Sequence, residues 1–326
     1  MSEYGFESFP STKTIRTFCP TDQFDFYSPI MNNHQKNAAG NKKIMRYMRR
    51  RFSIPIKFEQ QIILSQITQA EAIEYGVEHW RRNRNDFHCM GSLYWQLNDC
   101  WPVASWSSLD YFLRWKALHY YAKRFYRPIF PSVKEGTDEV EFWITNDSTT
   151  HSEVRLDWKI LDSEGKILKN GTYDTIVSPC YSLKVGTVDV SDINQEKEKM
   201  RNNIIFYKLR DKQKENEIIH YGFRLFDSPK HFKMSDPELS FTCERRSADN
   251  NNFNLTIGSK GIALYVFIDS DNFDFIASDN FFSMEPNESR VIILKELKPL
   301  DSNTEFTEQK VKDSIRIGSL YDLLKT

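Results

Sequence analysis

The spacing of apolar residues changes once along the chain, and this change limits the possible folds more than any other feature. Up to residue 126 the apolar side chains recur every three to four positions, whereas beyond residue 131 they alternate with polar ones. The junction, residues 127–131, reads Arg-Pro-Ile-Phe-Pro, and two prolines in five residues disfavour a continuing helix. A helical part followed by a strand-rich part is therefore predicted, and 326 residues suggest two or three domains.

The part before the junction predicts helices around one short strand. Residues 41–52 and 58–84 each carry apolar side chains on a single helical stripe, and Asp110 can cap a third helix. Residues 91–95 are a short strand candidate. The stripe of the long helix consists of Ile63, Ile67, Ala70, Ile73, Val77 and Trp80.

The part beyond the junction predicts antiparallel strands that are buried on one face. Apolar and polar residues alternate over 153–160, over 220–225 with Tyr221, Phe223 and Leu225 as the apolar set, and over 262–268. Val291 and Ile293 continue the pattern near the end of the chain. Short strands at such spacing are typical of a β-sandwich.

A polar hinge at 226–237 separates the strand-rich part into two units. We therefore expect one β-sandwich over 128–230 and a second over 235–326. The charged stretch 195–203 is predicted to be a solvated loop insertion in the first sandwich and not a binding element.

Composition excludes several classes of protein. A net charge of -1 with 27% charged residues provides no basic field for nucleic acid or an anionic membrane. No apolar run approaches the roughly 20 residues of a membrane span, and the first residues do not read as a secretory signal. The five cysteines show neither metal-ligand spacing nor an even disulfide framework. Neither nucleic acid nor a membrane is expected as a partner.

Two sequence motifs in the helical part resemble segments of a known protein family. Residues 2–10 read Ser-Glu-Tyr-Gly-Phe-Glu-Ser-Phe-Pro, and residues 90–111 form an aromatic-rich block that includes Tyr-Trp-Gln-Leu-Asn-Asp at 94–99. These segments resemble the nucleophile segment and the last barrel strand of the β-mannosidases in glycoside hydrolase family 2. Residues 277–282, Ala-Ser-Asp-Asn-Phe-Phe, extend the resemblance toward the C-terminus.

The resemblance implies a multidomain fold. Residues 1–127 would be the C-terminal remnant of a (β/α)8 catalytic barrel, containing strands seven and eight with their helices. The two all-β domains that follow would be immunoglobulin-like sandwiches. A quarter of a barrel cannot close, so its strand edges would be left open.

The resemblance also implies a chemistry with two carboxyl groups, one attacking the anomeric carbon and one protonating the leaving oxygen. By motif match Glu3 is the nucleophile. The family's acid/base is the glutamate of an Asn-Glu pair that precedes the nucleophile, so it cannot lie after Glu3. The pairs at 216–217 and 287–288 fall in the predicted sandwiches and are interpreted as chance. We expect this chain alone to be inactive.

Four further residues are candidates for substrate binding. Trp95 ends the predicted strand, where a tryptophan of such barrels forms the floor of the sugar subsite, and its indole suits the apolar face of a pyranose. Asn98, Asp99 and Trp101 follow in the loop where barrel active sites are built. Asn and Asp in such a loop equally close turns or cap helices. Glu7 has no matching role and is expected to be peripheral.

The function implied is that of a retaining exo-glycosidase that removes terminal β-mannose from oligosaccharides such as N-glycan fragments. No metal or organic cofactor is needed, and a longer animal member would work in the lysosome. Two alternatives stay open. One is a related exo-β-glucosaminidase or β-galactosidase, and the other is a non-catalytic structural or carbohydrate-contacting module. Exposed aromatic residues on a sandwich face would favour the second.

Overall fold

The computed structural model describes residues 1–246, 251–300 and 306–325. By their internal packing these residues form two units that alternate along the chain. Unit one comprises residues 1–5, 71–95 and 121–234, and unit two comprises 6–70, 96–120 and the described residues from 235 onward. Among the described residues, no helix combines the length and the apolar character needed to cross a membrane.

The first 127 residues contain the longest helices. They are α1 (Thr12–Ile15), α2 (Pro29–Asn33), α3 (Gly40–Arg51), α4 (Phe58–Arg82) and α5 (Ala117–Phe125), with short 3-10 turns at Thr21–Gln23 and Asn85–Phe87. The predicted helices 41–52 and 58–84 are confirmed as α3 and α4, because both have one continuous apolar stripe. That stripe is buried in α3 at Ile44 and Met48 and in α4 at Ile67 and Val77.

The third helix begins later than predicted. Asp110 does not cap it; instead its Oδ1 accepts the backbone N–H groups of Phe112 and Arg114, each at 3.0 Å, and so closes a turn. Leu113 has a φ of 62°, which a right-handed helix cannot accommodate. The helix therefore starts at Ala117.

The predicted strand 91–95 is reduced to a single parallel bridge between Tyr4 and Tyr94. A run with one short neighbour has too few ladder hydrogen bonds to form a regular strand. The barrel remnant is therefore only partly evident in the described residues, and the regular sheet structure lies beyond residue 128.

Unit one contains a sandwich of two antiparallel sheets, with strand orders β1-β2-β5 and β4-β3-β6-β7. The strands are β1 (Ile129–Glu135), β2 (Glu139–Asn146), β3 (Ser152–Asp162), β4 (Ile167–Val177), β5 (Tyr181–Asp189), β6 (Asn203–Asp211) and β7 (Glu217–Leu225), with helices α6 (Ser191–Asn194) and α7 (Lys197–Asn202) between β5 and β6. Phe142 stands in the core, with ring centroids 6.1 Å from Trp158 and 5.9 Å from Tyr207. The predicted alternation over 153–160 is confirmed in β3. The stretch 195–203 is largely exposed, as predicted, but the predicted loop is wrong, because Lys197–Asn202 form the short helix α7.

Unit two contains a second pair of sheets, with strand orders β12-β10-β14 and β11-β13-β9-β8. The elements are β8 (Ser240–Arg245), β9 (Phe253–Gly258), β10 (Ala263–Ser270), β11 (Phe273–Ala277), β12 (Phe282–Met284), β13 (Ser289–Pro299), α8 (Glu308–Ser314), β14 (Ile315–Gly318) and α9 (Leu320–Leu324). Both predicted strand-rich regions are thus β-sheet structure. A 3-10 turn at Pro229–His231 lies in the predicted hinge.

Three strands bury side chains that alternation did not select. In β13 Val291 is 58% exposed, while Ile292 and Leu294 are buried. In β10 the register shifts between Ala263 and Val266, and Tyr265 is buried there with a φ of 51°. In a run of consecutive apolar residues, the sequence does not reveal whether the odd-numbered or the even-numbered side chains face the core.

The third strand is β7. There His220 is buried, with its ring centroid 4.9 Å from that of Phe130. The apolar residues Tyr221, Phe223 and Leu225 are only half-buried. β7 is an edge strand of its sheet, and side chains on both of its faces are at least partly buried. The pattern of apolar residues alone therefore did not identify the buried His220.

Candidate active site

The first candidate segment is a pair of parallel extended chains in unit one. The Trp95 N–H donates to the Tyr4 carbonyl at 2.7 Å, and the Leu93 N–H donates to the Met1 carbonyl at 3.1 Å. Together with the Tyr4–Tyr94 bridge, these bonds align residues 1–4 with residues 91–95. Two neighbouring parallel strands are the repeating arrangement in the sheet of a (β/α)8 barrel.

The two faces of this pair differ. The Tyr4 ring packs on Trp80 of α4 with centroids 4.2 Å apart, and the Tyr94 ring lies 6.3 Å from that of Tyr126. Because successive side chains of an extended chain point to opposite faces, Glu3 and Trp95 belong to the face turned away from the helices. Glu3 is exposed and Trp95 is 51% exposed. A carboxylate and an indole are thus presented together on the open face.

Three hydroxyl groups fix the opposite face. The Tyr4 hydroxyl lies 3.1 Å from Ser92 Oγ and 2.9 Å from the Tyr126 hydroxyl, which also donates to the Ser92 carbonyl at 3.0 Å. We refer to Tyr4, Ser92 and Tyr126 as the tyrosine–serine cluster. Burial raises the pKa of Tyr4 above its usual range. The phenol therefore stays neutral and can donate a hydrogen bond. This bond anchors Tyr4, the residue next to Glu3.

The second candidate segment is the loop after residue 95, which belongs to unit two. Asp99 is buried, and its carboxylate accepts hydrogen bonds from Ser105 Oγ at 2.9 Å, Ser107 Oγ at 2.5 Å and Gln96 Nε2 at 3.0 Å. Three donors converge on one carboxylate, so its hydrogen-bonding capacity is mostly used within the loop. Asp99 thus closes the loop on itself.

Asn98 and Trp101 have different surroundings in the same loop. Asn98 is exposed, and its carbonyl accepts from Gln96 Nε2 at 2.9 Å. Trp101 is half-buried and stacks on His34 with centroids 4.4 Å apart, while Lys36 Nζ lies 5.9 Å from its ring centroid. Its indole is therefore already covered on one side by protein.

The sequence motifs gave no role to His34, which the structure places in an aromatic stack. The ring is stacked on Phe18 with centroids 3.8 Å apart, and its Nδ1 donates to the Pro102 carbonyl at 2.6 Å. A carbonyl can only accept, so the proton lies on Nδ1. His34 thus orders the chain around Trp101. A single histidine between polar residues gave no signal of this stack.

Glu7, which has no matching role in the resemblance and was expected to be peripheral, is buried in unit two. Its side chain is 6% exposed, and Asn37 Nδ2 donates to Oε2 at 3.2 Å. Burial raises the pKa of Glu7 to about 7, against smaller opposing effects of Asn37, Lys43 and Lys116. Lys116 is also buried and donates to the Ser8 carbonyl at 3.3 Å, and burial lowers its pKa to about 8. Unit two therefore contains two buried titratable groups that no motif indicated.

The structure brings Glu3 and Trp95 to one exposed face and surrounds Asp99 and Trp101 with partners from their own unit. Within the described ranges, no group of three or more His, Cys, Asp or Glu side chains is arranged to hold a metal ion. An exposed carboxylate, that of Glu3, and a half-exposed indole, that of Trp95, thus lie on neighbouring parallel chains of unit one.

Comparisons with known proteins identify the two strand-rich regions of the chain. A mannosidase Ig/CBM-like domain matches residues 138–231, and an Ig-fold domain of the mannosidase type matches residues 234–323. β-Mannosidase from Capra hircus is 33% identical over 167 residues, which are 48% of this chain and 19% of that protein. β-Mannosidase B from Emericella nidulans is 27% identical over 323 residues, which are 92% of this chain and 36% of that protein.

Solved structures give the same result. The crystal structure of β-D-mannosidase from Dictyoglomus thermophilum superposes with a TM-score of 0.85 at 26% identity, covering 98% of this chain and 37% of that one. An exo-chitosanase from Amycolatopsis orientalis shares the fold, with a TM-score of 0.74 at 15% identity, covering 96% of this chain and 41% of that one.

Two mannosidase-type immunoglobulin-like domains, together with the similarity to β-mannosidases, define a segment of a modular glycoside hydrolase. The aligned residues span 19% to 41% of the length of the relatives named above. The chain belongs to the β-mannosidases of glycoside hydrolase family 2 and corresponds to the C-terminal part of these enzymes.

Proposed function

We propose that this chain is the C-terminal part of a retaining exo-β-mannosidase that removes terminal β-mannose from oligosaccharides, including N-glycan fragments. The observation that carries the proposal is the exposed face shared by Glu3 and Trp95. An exposed carboxylate on a chain fixed from behind can approach a sugar, and its ionised form is the nucleophile. The β-mannosidase relatives supply the substrate class.

In this proposal Glu3 attacks the anomeric carbon from the face opposite the leaving group. The C–O bond to the leaving sugar breaks as an acid donates a proton to the leaving oxygen, and a glycosyl ester on Glu3 results. Water then cleaves the ester with the same acid acting as base, so configuration is retained. Anchoring of the neighbouring Tyr4 by Ser92 and Tyr126 holds Glu3 in position for the first step.

Trp95, Asn98, Asp99 and Trp101 are proposed to serve the substrate pocket. The half-exposed indole of Trp95 offers a flat apolar surface to the pyranose ring. Asn98 offers an exposed amide for sugar hydroxyls. Asp99 acts by holding the loop, since Ser105, Ser107 and Gln96 already occupy its oxygens. Trp101 forms an outer wall supported by its aromatic stack.

The acid/base is proposed to come from a segment outside residues 1–326, because the family places it ahead of the nucleophile. The 326-residue chain alone is then inactive, since loss of a general acid costs a factor of about 10² to 10⁴ and most of the pocket is also missing. We assign 1–127 to the barrel, and 128–230 and 235–326 to its two sandwich domains. The lysosomal location of a longer animal protein remains a prediction.

The experiment is hydrolysis of 4-nitrophenyl β-D-mannoside by the natural polypeptide that contains this sequence, compared with the 326-residue chain. We expect hydrolysis by the natural polypeptide and none by the chain alone. The corresponding β-glucosaminide and β-galactoside are the control substrates. Preference for either of them would transfer the assignment to the related exo-glycosidases, and inactivity of the natural polypeptide toward all three would favour the non-catalytic module.

A further inference from the structure

Unit one contains a cavity of about 270 Å³ behind the chain pair that carries Glu3. Its walls include the apolar side chains of Trp80, Met90 and Leu93. Ser92 and Tyr126 of the tyrosine–serine cluster line it as well. A concave apolar pocket with a few convergent polar groups is the usual form of a small-molecule site.

The charged groups in this wall are two arginines and one aspartate. Arg81 and Arg84 both contact the Asp147 carboxylate, Arg81 through Nη2 at 2.7 Å. Arg81 also donates to the backbone carbonyls of Phe125 and, at 2.9 Å, Arg127. The side chains of Arg81 and Arg84 are 8% and 10% exposed, whereas Asp147 is 43% exposed. Two buried cations thus share one partly solvated anion, and the lining carries an excess of one positive charge.

The two guanidinium groups have unused hydrogen-bonding capacity. The buried Nε atoms of Arg81 and Arg84 have no acceptor among residues 1–246, 251–300 and 306–325. Buried donors without partners are costly, and both Nε atoms are closed off from solvent, so the groups that can meet a ligand are the parts of the two arginines that line the cavity. Burial and, to a smaller degree, the charge of Arg84 lower the pKa of Arg81 to about 10.

We propose that this cavity binds a small organic anion, namely a carboxylate carried on an apolar body. The carboxylate pairs with Arg81 and Arg84 in a charge-assisted contact, and the apolar body lies against Trp80, Met90 and Leu93. Because Tyr126 and Ser92 line the cavity and also bind the Tyr4 hydroxyl, an occupant contacts the cluster that anchors the residue next to Glu3. The site is independent of the proposed hydrolysis.

The test is titration of the full 326-residue chain with benzoate, followed by calorimetry, with neutral benzamide as the isosteric control probe. We expect benzoate to bind at least about tenfold tighter than benzamide, since the charged contact is worth about 1.5 kcal/mol or more. Its affinity should fall as salt is added. Equal affinities, or no benzoate binding at millimolar concentration, would overturn the proposal.

Variants locate the site. Arg84→Gln should remove the preference for benzoate, Arg84→Lys should keep most of it, and Asp147→Asn should tighten benzoate binding by removing the competing anion. Circular dichroism and thermal unfolding verify that each variant is folded. Benzoate binding that is unchanged in folded Arg84→Gln would place the anion elsewhere and refute the assignment. If Arg84→Gln does not fold, Asp147→Asn decides, because weaker binding in that variant contradicts the site.

Discussion

The two candidate segments use their polar side chains in opposite ways. On the chain pair of unit one, Glu3 and Trp95 are exposed, and the hydrogen bonds that hold the segment come from the backbone and from Tyr4 on the other face. In the loop of unit two, Asp99 is buried and satisfied by three donors. The comparison separates groups available to a ligand from groups that maintain the scaffold. Residues adjacent in a motif can therefore have different roles.

The largest expected effect tests the exposed side of this comparison. In the natural polypeptide, Glu3→Gln should lower kcat for a β-mannoside by about 10⁴-fold or more, because the amide cannot form the glycosyl ester. Glu3 is exposed, so the substitution should change the free energy of unfolding by less than about 0.5 kcal/mol. Glu59→Gln, an exchange at a partly exposed position of α4, is a matched control that should leave kcat unaltered.

The substitution Asp99→Ala tests the role of the buried carboxylate in the loop of unit two. We expect the free energy of unfolding to fall by about 2 to 4 kcal/mol, since the hydroxyls of Ser105 and Ser107 lose their charged acceptor. Urea denaturation of the 326-residue chain measures this change. Asn98→Ala, at the exposed neighbouring position, should change stability by less than about 0.5 kcal/mol. Equal effects of the two substitutions would remove the distinction between scaffold and ligand groups in this loop.

A pH dependence of intermediate size should come from Glu7. Its folded pKa of about 7 lies above the ordinary value of 4.5, so its stabilising contribution is complete below pH 4.5 and is lost as the pH rises through 7. The slope from this one group should be no more than about 1.4 kcal/mol per pH unit. Burial also raises the pKa of Glu74 to about 7, so Glu7→Gln should reduce, and not abolish, the slope of the unfolding free energy between pH 4.5 and 7.

Lys116 titrates in a separate window. Its pKa is lowered from 10.5 to about 8, so its contribution is lost as the pH falls toward 8 and does not change below 7. A Glu7→Gln curve that retains the full slope between pH 4.5 and 7 would show that another group titrates there.

The smallest expected effect concerns Trp95. Trp95→Ala in the natural polypeptide should raise KM for a β-mannoside by about tenfold, equivalent to about 1.4 kcal/mol of lost stacking. Trp95→Phe, which keeps a ring, should recover part of the affinity. An unchanged KM in the alanine variant would mean that this exposed indole does not contact the sugar.

Helices and sheet regions were predictable where one period continues over many residues, as in α4 and β3. Details that depend on tertiary neighbours were not. The left-handed conformation of Leu113 moves the start of α5, and at the irregular register of β10 Tyr265 is buried in addition to the alternating apolar residues predicted over 262–268. In the run that includes Val291, all residues are apolar, so sequence alone could not determine which of them face the core.

The same limit applies to the site. The motif at residues 2–10 indicated Glu3, and the block at 90–111 indicated Trp95, because short motifs preserve the residue types that a chemistry needs. The buried Glu7 has its hydrogen-bond partner in Asn37, 30 positions away along the chain, and His34 stacks on Trp101 from a distant loop. No local pattern carries such information.

The most direct test of Glu3 as nucleophile is to trap the glycosyl ester. The natural polypeptide is incubated with 2-deoxy-2-fluoro-β-D-mannosyl fluoride, digested, and sequenced by mass spectrometry. We predict that inactivation is accompanied by one fluoromannosyl group on the peptide containing residues 2–10, attached to Glu3. Inactivation with the label on Glu7 or on a carboxylate outside this peptide would contradict the assignment.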